Sequence, residues 1–218
     1  QNPNIHITIG GYTPSFDYEY ILYRIPDIDS IIRFEGEYVL LDLAKAIFHQ
    51  EEWRSIKGIT FKNGNKIVAN EPVSLISELD VLPFPSRDYL PYLIENYEEE
   101  YTVYINRGRG CYRKCTFCSI PHFFSESDKR LVRQRTNENL LTEIKILVKD
   151  YHVNNFTFID DVFTIQSEKN KTDTLELAKK IKKGGLKIHF SISERIDNLH
   201  EGIIDELISS GLMRIFIG

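Results

Sequence analysis

Between residues 101 and 217 the sequence alternates between short strand-like runs and stretches of helical period, and this alternation restricts the fold more than any other feature. Residues 101–106, 155–160, 187–193 and 213–217 are rich in β-branched and aromatic residues, the composition of strands. Between them, Leu140, Leu141, Ile144, Leu147, Val148 and Tyr151 fall on one face of a helix over 137–150. Thr136 stands at its N-cap, with no Glu or Gln three residues on to complete a capping box. A helix over 172–183 ends at Gly184-Gly185, and another over 201–210 is closed by Gly211. Strands separated by helices pair in parallel through right-handed crossovers. Four such strands make an α/β fold and amount to about half of a β/α barrel. In such barrels the loops after the strands carry the chemistry. Here those are 107–135, Asp160-Asp161, and Ser193-Glu194-Arg195.

Composition removes several classes. With 42% hydrophobic and 27% charged residues in a chain of 218, the sequence is that of a folded globular protein rather than a disordered one. No apolar run approaches the ~20 residues that span a bilayer, and the start does not read as a leader. A membrane partner is therefore not expected, and the expected location is cytoplasmic. The net charge of −5 argues against nucleic-acid binding by bulk charge. The chain begins at Gln1, has Met213 as its single methionine, and stops at Gly218 directly after an apolar run. The expectation is a piece of a longer polypeptide, cut at both ends.

The three cysteines, Cys111, Cys115 and Cys118, lie within eight residues. An odd number in so short a loop argues against a disulfide framework. Three thiolates can converge on one metal centre and leave a coordination position open. A zinc ion completed by His122, four residues after Cys118, is one candidate. A four-iron four-sulfur (4Fe-4S) cluster is the other. The zinc reading makes the chain an interaction module, whereas the cluster reading makes it an enzyme.

The segment Cys111-Tyr112-Arg113-Lys114-Cys115-Thr116-Phe117-Cys118 resembles the signature of the radical S-adenosylmethionine (radical SAM) superfamily. The resemblance implies that 101–218 is the first part, four strands, of a partial (β/α)6 barrel. It implies a cluster held by Cys111, Cys115 and Cys118, whose open iron holds SAM. Phe117 then stands near the adenine, Asp160 at the SAM amino group, and Ser193 and Arg195 at its carboxylate. An external electron donor of the flavodoxin or ferredoxin type reduces the cluster. SAM is then split to methionine and a 5′-deoxyadenosyl radical, which takes hydrogen from an unactivated C–H bond of a small-molecule or natural-product substrate. The SAM ribose contacts are expected beyond Gly218. His122, His189 and His200 are read as structural.

Before residue 101, a strand over 5–10 runs into Gly10-Gly11, a helix follows over 17–23, and a second strand covers 29–33. Glu35-Gly36-Glu37 then leads into a helix carrying Leu40, Leu41, Leu43, Ala44, Ile47 and Phe48. Residues 1–55 look like the C-terminal part of a Rossmann-like domain, in which strand-end glycines meet ligands. Residues 56–100 read as a hairpin turning at Asn63-Gly64, followed by a linker with Pro83, Pro85 and Pro91. The succession resembles cobalamin-binding radical SAM enzymes. It implies cobalamin against Gly10 and Gly11, with Phe34 standing where that subgroup has a glycine. C-methylation is the leading reaction. A radical cyclase of the magnesium-protoporphyrin ester type is the alternative, and no cysteines remain for the second cluster of a methylthiotransferase.

Residues 105–135 carry eight cations, Arg107, Arg109, Arg113, Lys114, Lys129, Arg130, Arg133 and Arg135, against Glu126 and Asp128. They read either as a solvated basic loop or as cations that surround an anionic cluster and bind carboxylate or phosphate.

Overall fold

The computed structural model describes residues 5–96, 101–124 and 132–218. The acidic run at 97–100 lies outside the described residues, as do Glu126, Asp128, Lys129 and Arg130. In chain order the first elements are β1 (Thr8–Gly10), α1 (Tyr12–Phe16), α2 (Tyr18–Arg24), β2 (Ser30–Ile32), α3 (Glu37–Phe48), β3 (Ile59–Asn63) and β4 (Lys66–Ala69). A 3-10 turn (Leu79–Val81) and α4 (Leu90–Asn96) lead to β5 (Thr102–Ile105) and β6 (Gly108–Arg109). After the cysteines come α5 (Ile120–Phe123), β7 (Arg133–Gln134), α6 (Asn137–Tyr151) and β8 (Asn155–Phe158). The last elements are α7 (Glu168–Lys183), β9 (His189–Glu194), a 3-10 turn (Ile196–Asn198), α8 (Glu201–Ser209) and β10 (Leu212–Ile217). The chain divides into two compact units, Gln1–Ile76 with Lys114–Leu131, and Ser77–Arg113 with Val132–Gly218.

In the first unit β1 and β2 pair in parallel, Thr8 opposite Ser30. All three residues of β2 are buried, so its other edge also needs a partner. It takes the hairpin, with β3 antiparallel to β2 and β4 antiparallel to β3. The hairpin expected at the head of a linker is thus the continuation of the first sheet. Its two connecting residues are Gly64 and Asn65, since Asn63 still pairs with Lys66, one residue later than the Asn-Gly signal placed them. Gly64 has φ +60°, as such tight turns require. Phe34, the residue in place of a glycine, has φ +63°. The backbone keeps the left-handed form that glycine adopts freely, and Phe34 offsets that strain by burying its ring with Leu75, Phe123 and Phe124.

The second unit is built on an all-parallel sheet in the order β10-β9-β8-β5. One face of the sheet carries Val103, Ile105, Phe156, Phe158, Phe190 and Ile192, which form the core with Leu140, Ile144 and Leu147 of α6 and Leu177 and Ile181 of α7. The other face carries the register row Tyr104, Thr157, Ser191 and Arg214, more exposed at every position. Four sequential parallel strands with helices on one face are the expected four-strand portion of a β/α barrel.

Caps set the helix starts. Thr136 accepts from the Asn139 N–H as a conventional N-cap. α7 begins at Glu168 rather than near 172, because Ser167 caps it by accepting from the Asn170 N–H. β9 runs one residue past the predicted 193, which puts Glu194 inside the strand. The turn into β10 depends on Gly211, at φ +115°, where a Cβ would run into the Ile188 carbonyl. Gly211→Ala is expected to lower stability by at least about 2 kcal/mol, read as a shifted midpoint in denaturant unfolding.

Candidate functional site

The helix-facing phase of three neighbouring strands ends on a charge. Val103 and Ile105 lead to Arg107, Phe156 and Phe158 to Asp160, and Phe190 and Ile192 to Glu194. These three are 1%, 3% and 4% exposed, so each needs partners inside the protein. Arg107 lays its guanidinium 4.8 Å from the Phe163 ring centroid and donates to Phe163 O at 3.2 Å and Thr174 Oγ1 at 3.0 Å. Burial lowers its pKa to about 10, against the opposing pull of Asp160, Asp173 and Glu194. Asp160 accepts from the Arg107 N–H at 3.0 Å and from the Gly108 N–H. Burial raises its pKa to about 7, while those amides and the Arg107 charge hold it lower than burial alone would.

The residue expected at the SAM amino group is thus engaged by backbone amides. Both of its oxygens are used by the turn after β5, and the side chain is closed off from solvent. The next residue, Asp161, is partly buried and accepts from the Gly110 N–H at 2.9 Å, with its pKa raised by that burial.

Glu194 accepts from the Thr164 N–H at 2.7 Å, the Arg195 N–H at 2.8 Å and Asn198 Nδ2 at 2.8 Å. Asn198 also donates to Thr164 O at 2.6 Å and accepts from the Tyr112 hydroxyl at 2.8 Å. Arg113 pairs with Asp197. The residues on either side of Cys111 are therefore gripped by groups that follow β8 and β9. Arg107, Tyr112, Glu194 and Asn198 were not singled out as site residues from sequence. For two of them a signal was present: a charge in the buried phase at a strand end.

The three cysteines are thiols of intermediate burial. Cys111 belongs to the second unit, Cys115 and Cys118 to the first. Cys118 N–H donates to Cys115 O at 3.1 Å, which closes a tight turn. α5 follows and buries Phe123 beside Phe34 and Phe124. Among the described residues no three His, Cys, Asp or Glu side chains stand close enough to hold an ion. The donor chemistry still fits an iron–sulfur cluster, because three thiols with no oxygen or imidazole among them are soft ligands. Sites of this kind are commonly closed by the group they bind.

Phe117 is 92% exposed. Ser193 is half-buried, and its carbonyl accepts from the Phe163 N–H at 3.1 Å. Arg195 donates from Nε to Asp197 Oδ1 at 2.9 Å, so its guanidinium already has a carboxylate. In the first unit Gly10 and Gly11 are exposed at the end of β1. Gly11, at φ +100°, has open space where a Cβ would stand, which suits close approach of a ligand to backbone. The buried Ser15 hydroxyl donates to Gly11 O at 2.6 Å and accepts from the Phe34 N–H at 2.8 Å, joining the ends of β1 and β2.

Several cations of the basic stretch are engaged within the described residues. Arg107 is hydrogen-bonded and Arg113 ion-paired as above, and Arg135 pairs with Glu143 at 2.6 Å. Arg133 is buried. A cavity of about 480 Å³ touches Arg107, Gln134, Thr136 and Asp173 but none of the cysteines. Another of about 410 Å³ lies at the opposite, N-terminal ends of the strands, beside His189, Ser191 and Arg214. The strand-end loops, rather than either cavity, mark the candidate site.

The model of the Radical SAM superfamily matches residues 105–218, more than half of the chain, and the chain belongs to that superfamily. The chain is similar along its whole length to an uncharacterized methyltransferase of Pyrococcus horikoshii, at 29% identity and covering 46% of that protein. It is also similar to the anaerobic magnesium-protoporphyrin IX monomethyl ester cyclase of Rubrivivax gelatinosus, at 27% identity, covering all of this chain and 39% of the cyclase. Thus the chain spans less than half the length of these relatives. Among solved structures, the cobalamin-dependent S-adenosylmethionine radical enzyme OxsB shares the fold with a TM-score of 0.78 at 24% identity, over 97% of this chain and 30% of OxsB. The radical S-adenosylmethionine methyltransferase TsrM from Kitasatospora setae has a TM-score of 0.72 at 16% identity, over 98% of this chain and 41% of TsrM. Among the described residues no helix is long and apolar enough to cross a membrane.

The Asp160 carboxyl has a testable consequence. Its ordinary pKa of 3.8 is raised to about 7 in the folded chain, so between those values the folded state holds a proton that the unfolded state has lost. Stability therefore falls as pH rises through that interval and levels off above it. Denaturant unfolding at a series of pH values is expected to show this fall, and Asp160→Asn is expected to flatten it.

Proposed function

We propose that the protein containing this chain is a radical SAM enzyme that binds a 4Fe-4S cluster through Cys111, Cys115 and Cys118, and that it uses SAM and cobalamin to methylate carbon. The observation that carries the reading is the C-x3-C-x2-C trio at the end of the first strand of a parallel sheet, within residues matched by the superfamily. Bound and reduced, the cluster supplies the electron that cleaves SAM to methionine and a 5′-deoxyadenosyl radical.

The chain's own residues bind and orient. The three thiolates hold the cluster short of a fourth protein ligand. Phe117, exposed on the cysteine loop, meets the adenine. Ser193 and Arg195, at and just after the end of β9, orient the SAM carboxylate, for which Arg195 exchanges its contact with Asp197. The substrate is a small molecule or natural product. Gly10 and Gly11 present exposed backbone to cobalamin. Residues 1–55, together with the hairpin that extends their sheet, then form the C-terminal part of its domain, the proline-containing stretch up to residue 100 the connection, and 101–218 the start of the barrel. The electron comes from a flavodoxin- or ferredoxin-type donor in the cytoplasm.

A cyclase reading is the second one, favoured by the whole-chain similarity to the magnesium-protoporphyrin ester cyclase. Product mass separates the two, since methylation adds a carbon and cyclisation does not. Anaerobic reconstitution is expected to give a brown protein with iron and sulfide near four per chain, and a colourless protein with one zinc refutes the enzyme. Cys111→Ala, Cys115→Ala and Cys118→Ala are each expected to reduce 5′-deoxyadenosine formation to background, measured by chromatography. Uncleaved SAM in the wild type, or cleavage that survives these substitutions, refutes the reading.

A further inference from the structure

We propose that Tyr112 and Asn198 are positioning residues that fix Cys111 for its cluster iron. The inference rests on the cluster reading above and adds to it a hydrogen-bond chain between distant parts of the sequence. Asn198 is 2% exposed. Its Nδ2 faces two acceptors, Thr164 O at 2.6 Å and Glu194 Oε1 at 2.8 Å. That settles the orientation of the amide, so Oδ1 must be the atom turned to Tyr112. Since Oδ1 can only accept, the Tyr112 hydroxyl is the donor, at 2.8 Å. Glu194 is held in turn by the Thr164 and Arg195 amides. The chain therefore runs from a residue adjoining Cys111 into the fully buried end of β9.

Neighbouring contacts point the same way. Gly110 N–H is held by Asp161 and Arg113 by Asp197. Residues 110, 112 and 113 are thus each tied to a group beyond β8 or β9, and the backbone at Cys111 has little freedom left. Of these ties the one from Tyr112 is the most specific, because it needs a single hydroxyl on a half-buried ring and a single oriented amide. Groups that orient a ligand without touching the metal typically change affinity about 10–100-fold when removed.

The test compares the wild-type protein with Tyr112→Phe and Asn198→Ala, reconstituted anaerobically with ferrous iron and sulfide. Three quantities are read: the rate of iron release to a chelator, the cluster's midpoint potential, and the thermal midpoint of the cluster-free protein. Tyr112→Phe is expected to release iron about 10–100-fold faster, with a shifted potential and an unchanged thermal midpoint. Asn198→Ala is expected to move release in the same direction and to lower the thermal midpoint as well, since it also frees Thr164 and Glu194. Wild-type release and potential in Tyr112→Phe overturn the inference. So does faster release in Tyr112→Phe that comes with a lowered thermal midpoint, which marks an ordinary structural role. A wild-type protein that takes up no iron and sulfide overturns the cluster reading itself, and this inference with it.

Discussion

Three charges buried at strand ends govern the second unit. Arg107, Asp160 and Glu194 stand where the helix-facing phase of β5, β8 and β9 calls for apolar residues. A charge in that position is costly unless it is paired and hydrogen-bonded. Loops beyond the strands supply most of the partners: Phe163 O for Arg107, the amides of Arg107 and Gly108 for Asp160, and those of Thr164 and Arg195 for Glu194. The loops are thereby fastened to the sheet. The requirement that these buried polar groups be satisfied and the geometry of the candidate site are therefore one and the same constraint.

The first unit fastens its strand ends with an uncharged side chain. Ser15 ties the carbonyl of Gly11 to the amide of Phe34, and the Phe34 ring secures its own strained backbone by packing with Leu75, Phe123 and Phe124. A glycine at position 34 would have had the conformation free of strain but no ring to bury. The aromatic residue trades backbone ease for packing, while the exposed backbone of Gly10-Gly11 stays available.

Much of the architecture was legible in the residues. Leu140, Leu141, Ile144 and Leu147 announced α6 because helix burial has a period of 3.6, and the four parallel strands followed from the lengths between apolar runs. The start of α7 was missed, because Ser167 precedes a polar first turn in which no apolar period had begun. The hairpin was recognised, but its pairing with β2 was not, since strand partners beyond a local turn leave no mark in the strand itself. Among site residues the cysteines were legible by spacing alone. Glu194 could have been read from its parity with Phe190 and Ile192, and Arg107 from its parity with Val103 and Ile105.

By itself, then, the sequence determined the order of strands and helices, the parallel class of the second sheet, and the soft-ligand character of the cysteine loop. These depend on period, composition and spacing, which are local properties of a chain. Only the tertiary structure decided that Asp160 accepts from the turn after β5, that Arg195 faces Asp197, and that Tyr112 meets Asn198 86 positions away. The reason is that hydrogen bonds between buried polar groups depend on distances of a few tenths of an ångström. Such distances exist only once the sheet has brought its strand ends side by side.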